Sequence, residues 1–123
     1  MNHESLTEIA DKQLIHLTTI GRKTTKPHEV ELWFAVNQGR VYLSHEGEET
    51  DWMKNIRKSG DVTFEIAGKH FTGTACLLEN DGKEAWEGKV ALYDKYYGKA
   101  PKETIEDWFS LSKLLLIELH HAK

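Results

Sequence analysis

Six consecutive residues, Gly21-Arg22-Lys23-Thr24-Thr25-Lys26, gather three cations and two hydroxyls between two apolar runs. A turn leaves backbone N–H groups free, and successive N–H groups can form an anion-binding concavity. The Arg fork suits phosphate or carboxylate, and Lys supplies a mobile point charge. The Gly-x-x-x-x-Gly-Lys spacing of a phosphate loop is absent. A solvated hairpin turn would carry the same residues, so residue type alone leaves both readings open.

Other chemistry-bearing residues are dispersed. His3, His16, His28, His45 and His70 show no His-Glu-x-x-His spacing, and His120-His121 would point to opposite faces of a strand. No metal site is expected. Cys76 is the only cysteine, which excludes an internal disulfide and a Cys-based metal motif. Its position inside a strand suggests a packing role. Ser44, at a strand end, is a candidate hydrogen-bond donor, and no nucleophile constellation surrounds it. Trp33, Trp52, Tyr93, Tyr96, Tyr97 and Trp108 can serve the core or stack on a planar ligand. Tyr93, Tyr96 and Tyr97 share one helical face by their spacing.

The chain that must position these residues has 123 residues, the size of one domain spanning 1–123. Its formal net charge of −4 argues against broad binding to nucleic acid or an anionic membrane. No run of 18 apolar residues exists, and Met1-Asn2-His3-Glu4 does not open a signal peptide. A cytoplasmic location, with no transmembrane segment and no nucleic-acid partner, is the expectation.

Ser5-Leu6-Thr7-Glu8 has the capping-box pattern and predicts a helix over Leu6 to Lys12. Leu14 to Ile20 reads as a strand ending at Gly21. Val30, Leu32, Phe34 and Val36 alternate with Glu29, Glu31, Trp33 and Ala35, which predicts one strand with one apolar face. After the turn at Asn37-Gln38-Gly39, Val41 to Ser44 continues what reads as a three-stranded meander. A helix capped by Thr50 or Asp51 runs to Lys58 with Trp52, Met53 and Ile56 inward. Val62 to Ile66 and Phe71 to Leu78 form a hairpin about Ala67-Gly68-Lys69-His70. Gly73 marks a bulge or a close backbone approach. A helix from Asn80-Asp81-Gly82 to Tyr97, a short one from Pro101 through Trp108 and Phe109, and a strand over Leu114 to Leu119 complete the chain. Six strands joined by hairpins resolve their edges by closing into a small barrel flanked by three to four helices.

The run Leu17-Thr18-Thr19-Ile20-Gly21-Arg22-Lys23-Thr24-Thr25-Lys26-Pro27, followed by Leu32-Trp33-Phe34, resembles the deazaflavin-dependent nitroreductase and quinone reductase family. That family's pattern is Thr-Thr-x-Gly-Arg-Lys-Ser-Gly-x-Pro, then Pro-Leu-Tyr/Trp-Phe. Asp51-Trp52-Met53-Lys54-Asn55-Ile56 and Asp61-Val62-Thr63-Phe64 are similar to the helix and strand that follow. The resemblance implies the six-stranded antiparallel split β-barrel of FMN-binding, pyridoxamine-phosphate-oxidase-like proteins, commonly a homodimer. It implies an oxidoreductase that passes a hydride from reduced coenzyme F420, or alternatively FMN, to a quinone, nitroaromatic or similar small acceptor. The alternative is a non-catalytic split barrel that stores a flavin or haem-type cofactor. Carried over position by position, Arg22, Lys23, Thr24, Thr25 and Lys26 would hold the cofactor's phosphate or acidic tail, Trp33 would be a pocket aromatic, Ser44 would lie near the substrate or the deazaflavin ring, and Trp52 would join the cofactor-binding set. Tyr93, Tyr96 and Tyr97 would cover the acceptor, with Tyr97 and Ser44 as candidate catalytic groups. Thr24-Thr25 replaces Ser-Gly, so the loop either avoids positive φ or is strained at Thr25. Glu31 stands where a Pro precedes Leu, Asp51 where a Pro precedes Trp, and the 45–49 loop is acidic.

Overall fold

A computed structural model describes residues 9–78, 82–110 and 112–120. The capping box and the first three residues of the Leu6–Lys12 helix lie outside these residues, as do His3, Asn80, Asp81 and His121; from Ala10 the chain is already in a turn. Seven strands are present: β1 (Ile15–Ile20), β2 (Pro27–Leu32), β3 (Phe34–Asn37), β4 (Arg40–Glu46), β5 (Asp61–Ile66), β6 (Lys69–Leu78) and β7 (Ser112–Leu119). Three further elements among the described residues are helices: α1 (Asp51–Lys58), α2 (Lys83–Tyr97) and α3 (Lys102–Phe109).

The strands form one sheet in the order β2-β1-β5-β6-β7-β4-β3. Every ladder is antiparallel. The two edge strands, β2 and β3, are consecutive in the chain and separated only by Trp33. The alternating run expected as one strand therefore breaks at Trp33. Its first half pairs with β1 and its second half with β4. The meander becomes two hairpins, the strand count rises from six to seven, and the sheet curls without a β2–β3 ladder. One chain segment supplies both edges, so the opening of the sheet sits at the kink.

The period-two pattern buries Ile15 and Leu17, Val62, Phe64 and Ile66, and Leu115 and Ile117 on the inner face. Trp52, Met53 and Ile56 of α1 pack into the same cluster. The opposite face of β4 and β7 buries Tyr42, Leu114 and Leu116 against Leu92, Ile105 and Phe109 of α2 and α3. β7 is thus buried on both faces, which explains its nearly continuous apolar run. The β3–β4 and β5–β6 turns are two-residue connections, Gln38-Gly39 and Ala67-Gly68, with positive φ at both central positions. That is the primed turn geometry that matches strand twist. Lys69 and His70, expected in the second turn, already belong to β6. At Gly73 the ladder continues in register, so there is no bulge. A Cβ there would sit 2.7 Å from the Glu118 carbonyl oxygen, so the close approach is the correct reading. Cys76 lies in a strand as expected, but on the exposed face rather than packed.

Candidate functional site at the split of the sheet

The basic turn closes the β1–β2 hairpin. Its Gly21 N–H donates to the Lys26 carbonyl at 2.8 Å, and the Thr25 N–H to the Gly21 carbonyl at 2.9 Å. Thr25 adopts φ 60°, so the strain allowed for by the missing Gly is present. A β-branched residue in this region is a genuine outlier.

Arg22 does not project into solvent. Its backbone N–H donates to Asn55 Oδ1 at 3.1 Å and its Nη1 donates to the same oxygen at 3.0 Å. Its Nη2 reaches Asp51 Oδ1 at 3.3 Å. Asn55 in turn donates from Nδ2 to Thr19 Oγ1 at 3.1 Å. Thr19 and Asn55 are the buried polar residues among those described. Arg22 therefore fastens the turn to the first turns of α1. Lys23 and Lys26 are exposed and make no ion pair with any described residue. Thr24 and Thr25 lie beside them, also exposed. The mobile positive charge of the turn is carried by these two ammonium groups.

At the other end of β2 the chain kinks at Trp33, and α2 supplies what a neighbouring strand would have supplied. The Phe34 N–H donates to the Tyr96 hydroxyl oxygen at 3.0 Å, and Lys95 Nζ donates to the Phe34 carbonyl at 2.8 Å. The Tyr96 hydroxyl donates to the Gln13 carbonyl at 2.7 Å. Burial raises the Tyr96 pKa above the usual phenol value and lowers Lys95 to about 8. The Trp33 indole lies flat on the Tyr96 ring, with centroids 4.1 Å apart and planes 6° from parallel. Tyr97 meets Trp33 edge-on at 6.0 Å, and Trp108 at 5.4 Å.

These rings wall an open cleft of about 470 Å³, lined also by Leu14, Leu32, Ser44, Glu31, Glu46 and Ser112. Trp33 is 41% exposed and Tyr97 53% exposed. Two exposed aromatic rings set edge-on at an open cleft, one of them stacked on a half-buried tyrosine, suit a planar ligand better than they suit core packing.

A family model described as F420H(2)-dependent quinone reductase matches residues 2–106. The chain belongs to this family. Among solved structures, a conserved hypothetical protein from Mycobacterium tuberculosis superposes with a TM-score of 0.79 at 19% identity, covering 98% of this chain and 82% of that one. An F420-H2 dependent reductase superposes with a TM-score of 0.68 at 21% identity, covering 85% and 93%. A protein from Listeria innocua of the pyridoxamine 5'-phosphate oxidase type gives 0.67 at 14% identity, covering 97% and 93%. Likeness at these identities shows the fold, a split β-barrel. The anhydro-N-acetylmuramic acid kinase of Streptomyces coelicolor is 38% identical over 63 residues. That match takes in 45% of this chain and spans 16% of the kinase.

The structure brings Trp33, Ser44 and Tyr97 together at the cleft, with Tyr96 as the platform beneath Trp33. Tyr93 stands behind Tyr97 and Trp108 at 5.0 and 5.5 Å. Trp52 is in the inner core, its ring meeting only the His45 edge among aromatic neighbours. Lys23, Thr24, Thr25 and Lys26 lie at the far end of β2, about 20 Å away at ~3.3 Å per residue. Trp108, one of the aromatics able to stack on a planar ligand, does line the cleft, whereas Asn55 and Leu14 carry no site expectation from sequence. A polar residue on the inward face of α1, three positions after Trp52, was the available signal for Asn55.

Proposed function

We propose that the chain is a reductase that binds coenzyme F420 along β2 and reduces a small planar acceptor in the cleft at Trp33. The observation that carries this reading is the placement of two unlike sites at opposite ends of one strand. One end offers exposed ammonium groups that make no ion pair with a described residue, and the other offers exposed aromatic faces. A ligand that touches both must be elongated, with anionic groups at one end and a planar ring system at the other. Coenzyme F420 has that chemistry, and the family to which the chain belongs is described by it.

When bound, reduced F420 supplies a hydride. The chain's residues hold and orient. Lys23 and Lys26 neutralise phosphate or carboxylate charge, with Thr24 and Thr25 adding hydroxyl or backbone donors. Arg22 acts by holding the turn against α1. Trp33, on its Tyr96 platform, presents a flat apolar face that fixes a ring and excludes water. Reduction of a quinone takes up one hydride and one proton. The hydroxyls available at the cleft are those of Ser44, Ser112 and Tyr97. No protein nucleophile is required. The homodimer implied by the family resemblance and the cytoplasmic location expected from the sequence belong to the same proposal, and light scattering on the purified chain reads the first.

The test is titration of the purified chain with F420 and, separately, FMN, followed by oxidation of F420H2 in the presence of menadione. Micromolar F420 binding with menadione-dependent oxidation is expected. Binding without turnover would favour a carrier role, and binding of neither cofactor would remove the reading. Lys23→Ala and Lys26→Ala should each weaken F420 about five- to tenfold, the scale of one charge-assisted contact.

A further inference from the structure

We infer that the cleft at Trp33 discriminates its planar acceptors by charge, taking neutral and cationic ones and rejecting anionic ones. The inference rests on the reading of the cleft as the acceptor site, and it concerns which acceptors can enter. The aromatic faces come first. Trp33 and Tyr97 are exposed rings, and an indole face is the strongest side-chain partner for a cation. The rim comes second. Every charged residue that lines the cleft is a carboxylate, Glu31 from β2 and Glu46 from β4.

Strand register explains why these charges are not cancelled. Ser44 and Glu46 project to the same face of β4, across from Leu114 and Ser112 of β7. Lys113, the nearest β7 cation in sequence, projects to the opposite face with its partner His45. Glu46 makes no ion pair with a described residue. Glu31 has a partial partner in His16 Nε2 at 3.6 Å, and that ring also faces Glu29 at 3.3 Å. Lys95 does not line the cleft; its ammonium sits 3.5 Å from the Phe34 ring centroid and donates to the Phe34 carbonyl. The two ends of β2 thus carry opposite charge, Lys23 and Lys26 at one and Glu31 with Glu46 at the other. A polyanionic group is attracted to the turn and repelled from the cleft, so the polarity also fixes which way an elongated anionic cofactor can lie.

The experiment measures equilibrium binding of three planar redox dyes to the full chain without cofactor, by quenching of tryptophan fluorescence. The probes are methylene blue as cation, menadione as neutral compound and anthraquinone-2-sulfonate as anion. At low salt the cation should bind about tenfold more tightly than the anion, and the ratio should shrink at high ionic strength. The net charge of the whole chain also favours cations, so the deciding comparison is a variant. The exposed double substitution Glu31→Gln plus Glu46→Gln should lower the cation-to-anion ratio at least threefold, with menadione unchanged, on the scale of two exposed charges. Trp33→Ala should weaken all three dyes, placing them in the cleft. An unaltered ratio in the Gln double variant, or equal binding of cation and anion by the parent chain, would overturn the inference. Charge-ordered binding with no F420-dependent turnover would leave the inference standing and remove the reductase reading. Turnover with no charge ordering would do the reverse.

Discussion

Thr25 and Asn55 are residues whose local physics leads to measurable outcomes. A Thr held at φ 60° is strained by roughly 1–2 kcal/mol, and glycine relieves it at some entropic cost. Thr25→Gly should therefore stabilise the chain by about 1 kcal/mol, read as a rise of roughly 3–5 °C in Tm. A fall in Tm would show that the loop draws more from the Thr side chain than from its backbone. Asn55 satisfies Thr19 and both the backbone and guanidinium of Arg22 while buried. Asn55→Ala should destabilise by about 2–4 kcal/mol in denaturant titration, because buried donors lose their partners. Asn55→Asp keeps an acceptor for Arg22 and lets the Thr19 hydroxyl donate, so it should fall between the two. The strain at Thr25 was legible in sequence, because Thr stands where a Gly would permit positive φ. The partner of Arg22 was not, because which way a long cation folds depends on the helix brought beside it.

At the scale of the element, the break between β2 and β3 is held by α2. Tyr96 and Lys95 occupy the backbone groups of Phe34 that a continuous sheet would have paired. Tyr96→Phe should leave the Phe34 N–H unpartnered and cost about 1–3 kcal/mol by chemical denaturation, with the Trp33 stacking face retained. Loss of cofactor or dye binding without loss of stability would assign the hydroxyl to the ligand instead. Lys95 tests the same clamp through pH. Its folded pKa of about 8 lies below the ordinary lysine value of 10.5, because burial disfavours the ammonium. Between those values the unfolded chain holds a proton that the folded chain has released, so this group makes stability rise with pH across that window and adds no slope below it. Raised phenols such as Tyr96 act oppositely above their ordinary value, so the comparison is with Lys95→Met. The parent's stability relative to Lys95→Met should increase by about 1 kcal/mol from pH 7.5 to 10.5, after allowing for solvent screening. A flat difference would mean that the ammonium is not desolvated. The alternation of residues 29–36 announced a strand, yet nothing in period two distinguishes one strand from two halves serving opposite edges. That distinction arises from Tyr96, more than sixty residues away.

For the molecule as a whole, one kinked segment supplies both edges of the open sheet and carries an anion-attracting turn and an aromatic cleft at the two ends of β2. The hairpins, the α1 amphipathicity and the apolar β7 were all written in short-range patterns, so the barrel architecture could be read from sequence. The distance between the turn and the cleft could not, since it depends on which face each strand presents once the sheet has curled. The central claim is that these two ends serve one elongated ligand. It is tested most directly by titrating F420 into the parent chain, Lys23→Ala/Lys26→Ala and Trp33→Ala. Micromolar affinity in the parent, weakened in both variants although they lie at opposite ends of β2, is the predicted result. Affinity unchanged by either substitution, or no F420 binding by the parent, would contradict it.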